Sequence, residues 1–370
     1  MRVIVIGGGI AGLSVALGLA RRGARVTLLE RSLSWFAGAS GVNAAIYRPL
    51  EDAAVMTAFA RRNAVLLDEL LGHRTSWLDA RGLVFIGATK TVRRLVAEAA
   101  DAGLRSQHWK GEVLLERLPV LEGGRWTEGL WLAAGGVIDL HRVARALEAA
   151  CRRADVDLVL RAEVTQVARS GELWQVTVRG APTQEADAVV LAAGAHSAKL
   201  GVLAGSALRL RTFKRTLALL EPEGPRVGHV VWDVTTETYF RRESGGVLAC
   251  PCDDDPSGPD STFSVSQDAL ASLGDKLQPV APVLADSRVR RAWAGLRTFS
   301  EDGLPVLGAD PDVAGLFWCT GFGGAGMTTG VALGDVAARA VLGDAVPREL
   351  AASRFGARSS LAPADASSRA

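Results

Sequence analysis

The feature that most constrains this chain is at its start. Arg2-Val3-Ile4-Val5-Ile6 runs directly into Gly7-Gly8-Gly9-Ile10-Ala11-Gly12. The first run is branched and apolar, as in a buried strand. Apolar positions over 10–22 then recur at helical spacing, and 25–30 read as a second strand. The hinge between strand and helix is therefore G-x-G-x-x-G inside a βαβ unit. Gly7 permits the tight turn, Gly9 lets backbone approach a pyrophosphate, and Gly12 lets helix and strand pack closely. The helix opens at Ile10 and Ala11, whose free N–H groups and positive dipole end suit a phosphate. Glu30 closes the second strand 18 residues after Gly12, where a carboxylate accepts ribose hydroxyls, and Arg31 follows it. This unit predicts a site for the ADP half of a dinucleotide, without choosing between NAD and FAD.

A second glycine turn makes that choice. Leu316-Phe317-Trp318-Cys319-Thr320 reads as a strand, Gly321 to Gly326 as a turn, and 327–342 as a long helix. Its opening residues Gly323, Gly324, Ala325, Gly326, Met327 and Thr328 form another helix N-terminus, far from the first in sequence. A flavin ring carries negative charge near N1 and C2=O when reduced, and a helix N-terminus aimed there stabilises that state. The expected cofactor is FAD.

The rest of the chain divides around these segments. Helices are expected at 52–71, 89–102 and 140–153, and strands at 83–86, near 156–160, 162–169 and 173–178. Ala188-Val189-Val190-Leu191 is a short buried strand leading to Ala193 and Gly194. Residues 208–250 are strand-rich, 253–259 an acidic loop, and 351–370 an Ala/Ser-rich segment. The predicted architecture is α/β: a Rossmann-like cofactor domain (1–45, 139–206, 298–345) interleaved with a substrate domain on a mixed or antiparallel sheet (46–138, 207–297). Residues 346–370 are expected to be a disordered tail.

Composition narrows the function classes. A formal charge of +2 over 370 residues, with no dense basic block, gives no support to nucleic-acid binding. No run approaches the roughly 20 apolar residues needed to cross a bilayer, and a soluble cytoplasmic protein without stable membrane insertion is expected. The four cysteines show no metal-ligand spacing with the five histidines, so no metal is expected and the thiols are expected reduced. Cys250 and Cys252 alternate as if on one face of a strand.

Trp293-Ala294-Gly295-Leu296-Arg297, followed by Asp302-Gly303-Leu304-Pro305, resembles the most specific segment of the D-amino-acid oxidase superfamily of FAD enzymes. The resemblance covers about residues 1–345, and the D-arginine dehydrogenase branch is nearest in pattern. It implies that Arg297 clamps a substrate carboxylate, a role a guanidinium fork suits. It further implies that the Tyr239 hydroxyl bonds the same carboxylate and that Arg215 contacts substrate. Ser40, Gly41, Asn43 and Ala44 would pass the pyrophosphate and reach the flavin, the Val164 backbone would meet adenine, and Gly295 would line the flavin. Three positions depart from the D-arginine branch. Ile46 and Glu51 replace a histidine and a tyrosine, and Gly82 stands where that branch has a substrate-sensing glutamate. Ala325 replaces an aromatic, and no flavin-linking cysteine is evident, so FAD is expected to be non-covalent.

The expected activity is oxidation of the Cα–N bond of a D-amino acid or small amine to an imine, then to a keto acid and ammonia. Oxygen or a quinone would take the electrons. Oxidation of an N-methyl amino acid or a 2-hydroxy acid, an FAD-dependent monooxygenase, and a non-enzymatic FAD-stabilised or tRNA-binding module remain open at this point.

Overall fold

The computed structural model describes residues 1–356 except 222, 225, 262 and 263. The opening strand, Arg2–Ile6, lies inside a six-stranded sheet ordered Val306–Ala309, Leu316–Thr320, Ala188–Leu191, Arg2–Ile6, Arg25–Leu29, Asp157–Val159. The pairs Val3–Ala188, Val3–Val26, Thr27–Asp157 and Val189–Leu316 are all parallel, and only Val306–Ala309 runs antiparallel at the edge. Continuous apolar runs fit because both faces are covered: Val3 to Ile6 and Ala188 to Leu191 are all buried.

Helix Ile10–Ala20 is buried from Ile10 to Leu19 because it lies between this sheet and helix Gly326–Val341. The two helices meet through small residues in a four-residue rhythm. A Cβ on Gly330 would lie 3.0 Å from Ile10 Cγ2, one on Gly334 would overlap Ser14 Cβ, and one on Gly18 would lie 2.7 Å from Ala338 Cβ. Contacts at 10/330, 14/334 and 18/338 are rows of every fourth residue advancing together, so both helices run the same way and open at the same end. Asn63, fully buried on helix Ala54–Leu71, fixes the start of the C-terminal helix. Its Nδ2 donates to the Met327 carbonyl at 3.2 Å, while its Oδ1 accepts from the N–H groups of Val331 (2.8 Å) and Ala332 (3.1 Å).

The second large sheet has nine strands among the described residues. Its order is Asp255–Pro256, Arg211–Glu221, Gly246–Cys250, Thr238–Glu243, Val230–Asp233, Leu83–Ile86, Glu128–Leu132, Ser106–Lys110, with Arg288–Phe299 on the other edge of Arg211–Glu221. It is mixed: Val230–Asp233 and Leu83–Ile86 are parallel, the remaining pairs antiparallel. Both expected architectures, the α/β nucleotide-type sheet and a mixed second sheet, are present.

Several expectations need correction. The segment 253–259 is not all loop, because Asp255 and Pro256 pair with Lys214 and Phe213. Cys250 ends its strand, and Cys252 turns away with φ +51° rather than alternating along it. The expected tail is ordered through residue 356: the Leu307 N–H donates to the fully buried Leu350 carbonyl at 2.8 Å, and Ala352–Phe355 form a 3-10 turn. Apolar Leu350 and Ala352 reach the core, so composition misread this stretch. The remainder of that expectation, 357–370, lies outside the described residues. Among the described residues no helix is long and apolar enough to cross a membrane.

The helix crossing makes a test of sign. Glycine inside a helix is worse than alanine by about 1 kcal/mol. Gly274, in helix Gln267–Leu277, has nothing within 4 Å of an added Cβ, so Gly274→Ala is expected to raise the denaturation midpoint. Gly334→Ala is expected to cost about 1–3 kcal/mol of stability through overpacking against Ser14, read by chemical denaturation.

Candidate active site

Both helix N-termini open into one cavity of about 1790 Å³, well beyond the roughly 300–1,000 Å³ of a drug-sized ligand site. At one end lies the first glycine turn. Gly7 has φ +114°, and a Cβ there would sit 2.5 Å from the Ala192 carbonyl oxygen. Helix Ile10–Ala20 has no acidic residue in its first turn, and its Ile10 N–H donates to Ser40 Oγ at 3.0 Å. Glu30 is held at the rim, its Oε2 accepting from the Gly8 N–H at 2.6 Å and its Oε1 from the Ser32 N–H at 2.8 Å.

Along the cavity wall come Gly7, Gly9, Ile10, Ala11, Glu30, Arg31, Ser40, Gly41, Asn43, Ala44, Val164, Ala193 and Gly194. Gly295, Gly323, Gly324, Ala325, Gly326, Met327 and Thr328 line its far half, with Arg215, Tyr239 and Arg297. Gly12 alone among the expected site residues does not reach the cavity. A Cβ on it would overlap the Gly7 carbonyl oxygen, so its part is to let the helix sit against the turn.

The far half is organised by strand alternation. Arg215 lies opposite Gly295 and Phe213 opposite Arg297, which puts residues 213, 215, 295 and 297 on one face. Gly295 is required there because a Cβ would lie 2.9 Å from both Val42 Cγ1 and the Val42 carbonyl oxygen. Across that gap Arg297 Nη2 donates to the Val42 carbonyl at 2.9 Å, and its Nη1 donates to the Leu296 carbonyl at 3.0 Å. Arg297 is 7% exposed and, among the described residues, has no ion-pair partner. Burial pulls its pKa below the usual arginine value, although a guanidinium stays charged at any working pH.

The neighbouring charges are compensated. Arg215 pairs with Asp254 at 2.8 Å, leaving its buried Nη1 without a partner. Arg48 pairs with Glu51 and, at 3.1 Å, with Asp52. Burial raises the Glu51 carboxyl above the usual range against the pull of Arg48, and its Oε1 has no partner. Arg48 also lies over the Trp232 ring at 4.9 Å, and Trp232 packs on Tyr239 with centroids 4.6 Å apart. Burial pushes the Tyr239 hydroxyl well above its usual pKa, and Cys250 stands directly opposite Tyr239 on the neighbouring strand. The loop beneath is anchored where Arg241, 5% exposed, donates Nε–H to the Ala44 carbonyl at 2.6 Å.

Sequence reasoning missed Arg48, Trp232 and Cys252 as cavity residues. Only tertiary packing brings them there, so no local signal marked them. Of the departures noted above, Ile46 and Glu51 line the cavity, but Gly82 does not. With φ +82°, its Cβ would overlap Trp131 Nε1, so that position cannot sense a substrate in this chain.

These residues fit an FAD. Two glycine turns leave backbone N–H groups facing one elongated cavity, and Gly194 and Gly324 each leave space where a Cβ would meet nothing within 4 Å. The family model of FAD-dependent oxidoreductases, DAO, matches residues 2–340. The chain belongs to the DAO family of FAD-dependent oxidoreductases. Its curated relatives include glycine oxidase from Geobacillus kaustophilus, 26% identical over 86% of this chain and 87% of that protein. Another is the tRNA 5-methylaminomethyl-2-thiouridine biosynthesis bifunctional protein MnmC from Thiobacillus denitrificans, 27% identical over 94% of this chain. The chain spans 57% of that protein's length. Among solved structures, the G. kaustophilus glycine oxidase has a TM-score of 0.78 at 24% identity, covering 93% of this chain and 96% of that one. L-proline dehydrogenase from P. horikoshii has a TM-score of 0.81 at 19% identity, covering 91% and 92%. This DAO family member is therefore an FAD-dependent enzyme.

Gly12 gives a test of the cofactor end. Gly12→Ala must open the turn at Gly7, and the purified protein is expected to retain far less flavin, measured as the flavin-to-protein absorbance ratio.

Proposed function

We propose that this enzyme oxidises the Cα–N bond of a small amino acid, with the α-carboxylate held by Arg297. The carrying observation is a charge pattern: Arg215 and Arg48 each face a carboxylate, while Arg297 is buried and, among the described residues, without one. A single anionic head group is what such a cavity lacks, and a charge-assisted fork to it is strong in a water-poor wall. Tyr239 is the second donor to that carboxylate, and the unpartnered Nη1 of Arg215 a third. Trp232 gives the chamber an apolar wall suited to a short side chain.

In this reading Gly7, Gly9, Ile10, Ala11, Glu30, Arg31 and Val164 hold the ADP half of FAD, with Gly12 packing behind. Ser40, Gly41, Asn43, Ala44, Ala193, Gly194, Gly295 and residues 323–328 surround the flavin half, without a covalent link. FAD, when bound, supplies the two-electron acceptor for the hydride that leaves the α-carbon. The chain's own residues fix the carboxylate, orient the Cα–H and keep water from the chamber until reaction is complete. An ammonium must lose one proton before its carbon can give up hydride. The resulting imine is hydrolysed by water to a keto acid and ammonia. The cofactor and substrate units at the boundaries given above, oxygen or a quinone as acceptor, and the D-configuration belong to the same proposal. So does a cytoplasmic setting, which the four free cysteines support.

Anaerobic addition of D- and L-amino acids, with sarcosine and glycolate in the same panel, is expected to bleach the flavin for an amino acid. Bleaching only by sarcosine or glycolate would move the assignment to N-methyl amino acids or 2-hydroxy acids. Bleaching only by NAD(P)H would replace it with a monooxygenase. Arg297→Ala is expected to raise KM about 10- to 100-fold, the size of a lost charge-assisted bond of about 1.5–3 kcal/mol, while flavin content stays unchanged. An unaltered KM would remove Arg297 from the carboxylate site.

A further inference from the structure

Two sulfurs lie against the proposed carboxylate pocket, and the oxidation just described leaves both unused. Cys250 ends strand Gly246–Cys250 directly opposite Tyr239 and is fully buried. After Pro251 the chain reverses at Cys252, whose φ of +51° is one that residues with a Cβ seldom adopt. The reversal brings the Cys252 N–H within 3.3 Å of Cys250 Sγ. Cys252 lines the cavity beside Arg215 and Tyr239, and both cysteines are free thiols.

We propose that Cys250 and Cys252 are a reversible oxidation site: hydrogen peroxide converts them to an intramolecular disulfide that weakens carboxylate binding at Arg215 and Tyr239. The geometry favours bond formation, since the left-handed backbone at Cys252 folds that residue back until its N–H lies 3.3 Å from Cys250 Sγ. Reactivity agrees. Burial raises the Cys250 pKa, but hydrogen bonds from Cys252 and from the Tyr239 hydroxyl, with Arg215 nearby, bring it down to about 7. The other two cysteines contrast with it: burial pushes Cys151 up to about 12 and Cys319 higher still. A thiolate reacts and a buried neutral thiol does not.

The chemistry balances in two steps. The thiolate attacks one peroxide oxygen, an S–O bond forms, the O–O bond breaks, and the departing hydroxide takes a proton to become water. The second thiol then attacks that sulfur, an S–S bond forms, and the sulfenic oxygen leaves as water with the second thiol's proton. Two electrons pass from the thiols to the peroxide.

The consequence for the pocket follows from what the bond takes away. Tyr239 loses the free thiol of its cross-strand partner Cys250. Cys252 is drawn toward Cys250, and it leads directly into Asp253 and Asp254. Asp253 accepts from the Thr216 N–H at 2.6 Å and Oγ1 at 2.8 Å, and Asp254 holds Arg215. Disulfide formation therefore pulls on the loop that positions Arg215. The bond itself is independent of the substrate assignment, and only its effect on carboxylate binding rests on that reading.

The FAD-loaded protein is treated with hydrogen peroxide, alkylated, digested and weighed. The peptide carrying residues 250 and 252 is expected about 2 Da lighter and unalkylated, and dithiothreitol restores it. Cys151 and Cys319 stay reduced, and Cys252→Ser instead yields a sulfenic acid at Cys250, read as a gain of about 16 Da. Benzoate, added as a carboxylate probe and followed by its perturbation of the flavin spectrum, is expected to bind the oxidised form about tenfold more weakly. A peptide that remains alkylated, or that gains only sulfinic acid, overturns the site. A disulfide with unchanged benzoate affinity overturns its control of binding. Benzoate that perturbs neither form refutes the carboxylate pocket and with it the control, while the mass still decides the bond.

Discussion

The direct contact between helices Ile10–Ala20 and Gly326–Val341 governs the geometry of the whole site. Backbones this close require small residues at every fourth position, and Ser14, Gly18, Gly330, Gly334 and Ala338 supply them. Because the helices run the same way, their N-termini open side by side at the carboxyl ends of the parallel strands. That is where an α/β sheet ordinarily takes its ligand. The proposed division, one helix end for the pyrophosphate and the other for the flavin ring, depends on this packing holding the two ends together. Asn63 adds a second constraint, entering the first turns of the C-terminal helix and accepting two of its N–H groups.

The second sheet is bound to this frame by arginine hydrogen bonds to backbone carbonyls and by an apolar cluster of Ala44, Leu217, Tyr239, Leu248 and Cys250. Gly295 lets the loop over 37–45 approach strand Arg288–Phe299, and Arg297 and Arg241 each donate to a carbonyl of that loop. The same guanidinium that faces the chamber thus also fixes its wall. A residue with two such tasks loses freedom, which prepares it for a ligand at less entropic cost.

Local pattern made several elements legible. The βαβ unit was readable because a buried parallel strand is apolar throughout and its turn demands glycine. Helix Leu140–Arg153 was readable from its periodicity. Strand Arg288–Phe299 was harder, since Arg288, Arg290 and Arg291 give its first half a surface composition although its second half is buried. Ordered Leu350 and Ala352 were hidden by an Ala/Ser-rich neighbourhood, because one buried leucine is too weak a compositional signal.

Sequence alone carried the dinucleotide fingerprint at residues 7–12, which rests on spacing within a few residues, while the family and the interest of Arg297 came from a resemblance along the chain. It did not determine the charge environment of Arg297. Which arginines are neutralised depends on Asp254 and Glu51, and their pairings are products of packing. Nor could spacing show that Cys252 folds back onto Cys250, because the reversal depends on a left-handed backbone at one residue. Chemistry that depends on net charge and on atoms in contact was decided by the tertiary structure, where desolvation and distance set the energies.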